Sequence, residues 1–229
     1  MCGRFTLTIL EPEEIARLLG IDPSPEFVAH HRPRFNVAPT DDHWVVRIGS
    51  RAQRELVPAT WGFGQGKRIN TRVENARART MLRDPAAGHR CLVPADGFLE
   101  WMGDKGDRRP LWFHRAGGGL VLFAGTCSEG SNGFQFSILT TEPNALVARV
   151  HDRMPVVIPV SDADRWLTAT DPVDVAAMLR PPPDDALLAT EVSKRVNVVG
   201  NDDPACLAAP EPQAAPPPTS KPTKQLRLF

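Results

Sequence analysis

The sequence predicts an α+β fold: mainly antiparallel β-sheets forming an open, barrel-like core, with helices at its periphery. Three observations point there. Apolar segments are short and numerous, and glycine turns separate those at 111–115, 120–126 and 134–140, the punctuation of an antiparallel sheet. Helical periodicity is confined to a few short stretches. No strand–helix–strand alternation runs along the chain, which excludes a doubly wound parallel sheet. With 229 residues, 41% of them hydrophobic, there is enough material for one domain with a sizeable core.

Taken in order, residues 5–10 begin by alternating apolar and polar side chains and read as a strand. Pro12 opens a short helix with Glu13 and Glu14 at its positive end and Ile15, Leu18 and Leu19 on one face, and Gly20 stops it. Residues 32–40 hold two prolines and no helical period, so they are extended. Strands at 44–48 and 54–57 flank the turn Gly49-Ser50, and 76–82 suits a helix. Residues 91–101 form a strand interrupted by Pro94 and Gly97. A glycine there marks a bulge of the kind that re-aims side chains beside active sites. Residues 144–150 suit a helix capped from Thr140-Thr141. A strand at 156–158, helices at 162–168 and 172–179 and an extended run at 192–199 complete a domain spanning 1–207.

Beyond it the composition changes. Residues 208–224 are rich in Pro, Ala, Gln, Thr and Ser, bury too little to fold, and make a stiff, extended linker. At roughly 3.1 Å per residue it reaches on the order of 50 Å. Residues 225–229 are apolar again, as a docking peptide at the end of a tether would be.

The 27 basic and 27 acidic side chains cancel, so bulk charge predicts no polyanionic partner. Their distribution is uneven. Lys67, Arg68, Arg72, Arg77, Arg79, Arg83 and Arg90 face only Glu74 and Asp84 in one interval, which suits either phosphate neutralisation or a solvated face. Cys2, Cys91, Cys127 and Cys206 are far apart, with no C-x-x-C and no histidine pair at zinc spacing. No metal and no cofactor is therefore expected. Without a signal peptide or long apolar run, the chain reads as cytoplasmic, with reduced thiols and no membrane contact.

Chemistry enters at the amino terminus. If Met1 is removed, Cys2 carries an α-amine and a thiol on adjacent carbons, with ordinary pKa values of roughly 8 and 8.5. Such a 1,2-aminothiol condenses with an aldehyde to an imine and closes to a thiazolidine. Three other polar residues stand in runs that would otherwise be buried or turn-like: Asn75, Glu100 between Leu99 and Trp101, and His151 heading His-Asp-Arg-Met-Pro. Taken singly they fit a cap, a strand-edge carboxylate and a core imidazole. Spacing alone does not gather them into one site.

The blocks Met1-Cys2-Gly3-Arg4-Phe5, Asn36-Val37-Ala38-Pro39, Trp61-Gly62, Ile69-Asn70 to Asn75-Ala76-Arg77, Cys91 to Trp101, and His151-Asp152-Arg153-Met154-Pro155, in this order, resemble the SRAP family (SOS response-associated peptidase). The resemblance implies an amino-terminal cysteine, exposed by self-removal or enzymatic removal of Met1, that crosslinks covalently to abasic sites in single-stranded DNA; the imine intermediate can also drain into β-elimination, so a weak strand-cleaving lyase activity is expected. It puts catalytic roles on Cys2, Asn75, Glu100 and His151. It puts DNA contacts on Arg4 and Arg77; Arg153 is a further candidate for a flanking phosphate and Trp61 or Trp101 for stacking on a base, with Asn36 and Pro39 beside them. Two departures stand out: the family's acidic residue after its Asn-Ala-Arg-x step is Arg79 here, and the loop after Trp61-Gly62 is short.

Two rival readings use the same residues. In a thiol (auto)peptidase, Cys2 is the nucleophile, His151 the base, Asn75 an oxyanion donor and Glu100 the orienting group. In a non-catalytic adaptor the tail dominates. Gln225-Leu226-Arg227-Leu228-Phe229 resembles the peptides that dock bacterial repair proteins on the sliding clamp. Gln225 leads Leu226, Leu228 and Phe229, which would fill an apolar pocket. The resulting expectation is a monomer acting at the nucleoid.

Overall fold

Strand-forming stretches broken by glycine and proline put most of the chain into β-structure. A computed structural model describes residues 2–77, 89–104 and 106–211, with the backbone alone at 76 and 77. In chain order the first elements are β1 (Phe5–Leu7), α1 (Pro12–Leu19), α2 (Pro25–His30), β2 (Arg34–Val37), β3 (Asp42–Ile48) and β4 (Arg54–Trp61). A distorted turn α3 (Phe63–Gly66), β5 (Asn70–Arg72) and α4 (Val73–Arg77) follow. Then come β6 (Arg90–Ala95), β7 (Gly97–Met102), β8 (Arg109–His114), β9 (Val121–Gly130) and β10 (Gly133–Thr141). The last are β11 (Met154–Pro155), β12 (Val157–Ile158), α5 (Ala163–Thr168), α6 (Pro172–Met178) and β13 (Leu188–Glu191).

The fold is α+β, as expected, and its barrel-like core is a closed ring. Strands run β10-β4-β3-β6-β9, and β9 pairs back onto β10 through register partners Phe136↔Cys127 and Ile138↔Gly125. Closure removes exposed sheet edges from the ring. Pairing is mainly antiparallel, with β10 running parallel to both β4 and β5. A second sheet, β13-β8-β7-β1-β2, stands beside the barrel.

Residues one apart fall into different cores, as the two-residue period of a strand requires. Val45, Cys91 and Val93 join Trp61, Phe123 and Phe136 in one apolar cluster. Their neighbours Val46 and Leu92 join the helix residues Ile15, Leu19, Phe27 and Trp166 in the other. Side chains of this size contribute roughly 1.5–3 kcal/mol each when fully buried. Arg90 belongs to this packing rather than to a basic surface. It is 2% exposed, donates to the carbonyls of Trp166 (2.8 Å) and Ala169 (2.7 Å), and clamps α5 onto β6.

Gly97 is the corner that places the site. β6 belongs to the barrel and β7 to the second sheet, with only Asp96 between them. A Cβ on Gly97 would lie 2.1 Å from Trp112 Nε1, so no other residue fits here. Beyond this corner β7 pairs β1 on one side and β8 on the other, carrying Glu100 alongside the amino-terminal segment.

Elsewhere the structure departs from expectation. Residues 144–150 form only a 3-10 turn at Val147–Arg149. Asn144 precedes it, its Oδ1 accepting the Val147 N–H at 3.0 Å, while Thr140 and Thr141 are held in β10 against Pro155 and Met154. Sheet pairing therefore removed the threonines from capping. The extended run at 192–199 is instead a 3-10 turn, Lys194–Asn197, preceded by β13. Helix α2 was not anticipated; Ser24 caps it by accepting the Phe27 N–H at 3.1 Å. Helix α4 starts at Val73, earlier than the predicted helix at 76–82, of which 78–82 lie outside the described residues. Most of the linker and the whole 225–229 tail lie outside them too.

Candidate active site

The amino-terminal segment lies between two strands. β1 pairs with β2 and with β7, and the Leu99 N–H donates to the Arg4 carbonyl at 3.0 Å. This places Cys2 beside the strand that carries Glu100. Cys2 is fully buried, and its Sγ donates to its neighbour Arg4's carbonyl at 3.4 Å. Burial, and next the Glu100 carboxylate, push its thiol well above the ordinary value. Burial thus favours the neutral thiol over the thiolate.

Glu100 is 6% exposed, and burial raises its carboxyl to about 7. The positive charge of the amino terminus opposes that rise, and Asp152 adds to it. The result is a carboxyl that both gives and takes protons near neutrality. His151 follows the 3-10 turn and is anchored by its own N–H donating to the Val147 carbonyl at 2.9 Å. Its Nδ1 accepts the Arg153 N–H at 3.0 Å. Asp152 Oδ1, also 3.0 Å from that nitrogen, favours the charged ring. Burial and the amino-terminal charge outweigh it, and the pKa lies below the usual value. A neutral ring with Nδ1 accepting carries its proton on Nε2.

A cleft of about 610 Å³ opens over these groups. Arg4, Pro39, Glu100, Trp101 and His151 line it, five of the residues singled out from sequence, with Gly3 between the cleft and Cys2. Trp101 forms a wall, its Nε1 donating to Asn197 Oδ1 at 2.6 Å and its ring 5.8 Å from the Arg4 guanidinium. Arg108 and Arg149 also line the cleft; sequence reasoning passed over both. Among the described residues no group of three His, Cys, Asp or Glu could hold a metal ion.

Four expectations are corrected. Asn75 is exposed on α4, and the amide that touches the cysteine belongs to Asn70, whose Nδ2 donates to the Cys2 carbonyl at 2.7 Å. The other Asn70 atom, Oδ1, is buried without a hydrogen-bond partner among the described residues. Asn36 does not face the cleft: it is 1% exposed, and its amide donates to the carbonyls of Val196, Val198 and Asn201. Trp61 is fully buried, stacked on Phe136 and donating to the Ile69 carbonyl, so no base reaches it. Arg153 is 9% exposed and grips Glu74 with both terminal nitrogens, at 2.9 and 3.0 Å, which removes it from phosphate contact in this arrangement. The side chain of Arg77 lies outside the described residues.

A signal for Asn70 was present. The chain holds Asn-x-Arg twice, at Asn70-Thr71-Arg72 and at Asn75-Ala76-Arg77, and only the first is followed two residues on by an acid, Glu74. The Arg79 departure therefore disappears when the motif is read from Asn70. Pairing of β5 with β10 (Asn70↔Ile138, Arg72↔Thr140) brings this first copy to the cysteine and leaves Arg72 exposed beside it.

The site thus sets a buried Cys2 beside a carboxyl that titrates near neutrality and an imidazole, next to a closed barrel with a side sheet. The chain belongs to the SOS response associated peptidase (SRAP) family, whose model matches residues 1–199. The abasic site processing protein YoqW of Bacillus subtilis is 33% identical over 222 residues, covering 89% of this chain and 97% of that one. YobE of the same organism, also named an abasic site processing protein, is 32% identical over 215 residues, covering 86% and 96%. A crystal structure from Bacteroides thetaiotaomicron shares the fold, with a TM-score of 0.75 at 18% identity over 91% of this chain and 99% of that one.

Proposed function

We propose that this protein captures abasic sites in single-stranded DNA covalently, through Cys2 exposed by removal of Met1. The observation that carries the proposal is the hydrogen bond from Asn70 to the Cys2 carbonyl. It fixes the terminal residue beside Glu100, at the edge of a cleft shared with His151. The relatives' names supply the substrate class.

The open-chain aldehyde of an abasic deoxyribose enters the cleft. The Cys2 α-amine adds to C1′, and Glu100 or His151 protonates the departing hydroxyl, so that water leaves and an imine forms. The thiol then adds to the imine carbon and its proton passes to the nitrogen, closing a thiazolidine. Aldehyde and aminothiol give thiazolidine and one water, with no oxidant. Before closure the imine can instead lose its 3′ phosphate by β-elimination, which accounts for a weak lyase activity. Asn70 orients the residue that reacts. Arg4 and Arg72 are the candidates for flanking phosphates and Trp101 for a base, a stack worth about 1–3 kcal/mol.

A general thiol hydrolase needs a thiolate at neutral pH, and burial with Glu100 nearby holds the Cys2 thiol protonated. We keep peptidase chemistry for the removal of Met1, which Glu100 would assist; the mass of a purified Glu100→Ala protein then retains Met1. The tail residues Gln225, Leu226, Leu228 and Phe229 would tether a cytoplasmic monomer to the sliding clamp. Unchanged co-migration with the clamp after deletion of 225–229 rejects that part.

The decisive experiment mixes the protein with uracil-containing single-stranded DNA and uracil glycosylase. A heat-stable shifted band is expected, absent with Cys2→Ala and with protein that keeps Met1. Normal crosslinking by either would overturn the aminothiol mechanism.

A further inference from the structure

Cations around the cleft divide into two kinds. Arg109 pairs with Glu191 (3.0 Å), Lys194 with Asp107 (2.9 Å), and Arg195 with Asp203 (2.5 Å). Arg108 and Arg149 are exposed and have no such partner among the described residues, and these two line the cleft. Unpaired guanidinium groups on a concave wall are suited to anions from outside, because no internal carboxylate has first to be displaced.

Arg108 also has a second position. It lines a neighbouring groove of about 310 Å³, together with Gly106, Lys194 and Asn197. Asn197 accepts the hydrogen bond from the Trp101 indole, so one residue pair forms the ridge between cleft and groove. The two depressions therefore adjoin at Arg108, which lines both. The groove's walls offer one glycine, one amide and two cations, Arg108 and the Asp107-paired Lys194, with no large apolar side chain, a lining that suits a sugar–phosphate backbone better than a peptide.

We propose that the bound strand leaves the reactive cleft over Arg108 and lies in this groove, so that Arg108 holds a phosphate outside the reacting nucleotide and Arg149 one at the cleft. This rests on the single-stranded DNA reading above and extends it by a path for one flank of the strand. Recognition of the neighbouring nucleotides is then by backbone alone, without a sequence preference.

The test measures anisotropy of undamaged single-stranded oligonucleotides, and crosslinking rates on abasic ones trimmed from either end. Arg108→Ala is expected to weaken affinity by about five- to tenfold at moderate salt and to reduce the slope of log affinity against log salt by about 0.7. Saturating DNA restores the crosslinking rate. Trimming the strand from one end only erases the difference between wild type and Arg108→Ala, and trimming from the other end keeps it. Arg149→Ala weakens affinity on all substrates, and Arg17→Ala on α1 changes nothing. Equal affinities for wild type and Arg108→Ala, or a deficit indifferent to which end is trimmed, would overturn the groove. A wild-type protein that binds the strand but never crosslinks would instead overturn the parent reading and leave the affinity test of the groove intact.

Discussion

Cys2 and Cys91 are both fully buried, and with Cys127 they belong to one apolar cluster, yet they occupy different chemical worlds. Cys91 faces Cys127 within the barrel, and burial pushes its thiol up. Cys2 is pushed up as well, but its surroundings include Glu100, the Asn70 amide and an open cleft one residue away. Burial is thus common to both and cannot be what makes one reactive. What differs is a titrating neighbour and a door. A thiol held neutral by burial, and next by a carboxyl that itself titrates near 7, can lose its proton to that carboxyl at the moment of bond formation. A thiol whose neighbour is another thiol has no such acceptor.

The largest expected effect separates the two surroundings. Glu100→Gln keeps the shape and removes the proton shuttle, so in protein supplied with Met1 already removed, single-turnover crosslinking at pH 7 is expected to fall by about 10²–10⁴-fold. Cys91→Ala is expected to leave that rate unchanged and to cost about 1–3 kcal/mol in urea denaturation, through a small cavity in the barrel. A Cys91→Ala protein that crosslinks as slowly as Glu100→Gln, while still folded, would abolish the distinction.

The parts legible in sequence were those governed by local periodicity or by an uninterrupted block. Helix α1 was readable because Pro12, the first-turn acids and Gly20 mark both ends, and Gly20 does adopt the left-handed conformation of a helix stop (φ 63°). His151 was readable because it is the one imidazole of its block, and Glu100 because it stands between Leu99 and Trp101, while Asp96 of the same block sits at the Gly97 corner. Asn70 was not, because the block held two Asn-x-Arg copies, and the choice between them is made by long-range pairing of β5 with β10. Asn36 and Trp61 teach the same lesson in reverse. Each stands in a recognisable block, but both hold the architecture from within, since a block marks importance and not direction. Thr140 and Thr141 looked like caps until sheet pairing claimed them.

A second effect follows from Glu100's environment and is a matter of stability. Its carboxyl titrates at about 7 in the fold, against an ordinary value of 4.5. The raised pKa means the fold favours the protonated acid. This contribution is fully present below about pH 4.5, fades as pH rises, and is lost above 7. Glu100→Gln has no charge to bury. Its stability relative to wild type is therefore expected to climb between pH 4.5 and 7 and to level off at up to about 3 kcal/mol above that. Melting temperatures measured across this range check it. A constant difference from pH 4 to 8 would mean that Glu100 is not strained by burial, and that the contrast with Cys91 rests on access alone.

The smallest effect tests the residue that sequence reading misplaced. Asn70 contributes one hydrogen bond to the Cys2 carbonyl, and a buried bond of this kind is worth about 1 kcal/mol. Asn70→Ala is therefore expected to slow crosslinking about five- to tenfold, with folding preserved, as the terminal residue loses its fixed orientation. Asn70→Asp keeps the volume but cannot donate, and places an acceptor against the carbonyl. It should be at least as slow, which a simple loss of packing would not produce. Asn75→Ala is expected to match wild type, because that side chain is exposed on α4. If the two asparagines exchange these outcomes, the hydrogen bond to Cys2 is incidental.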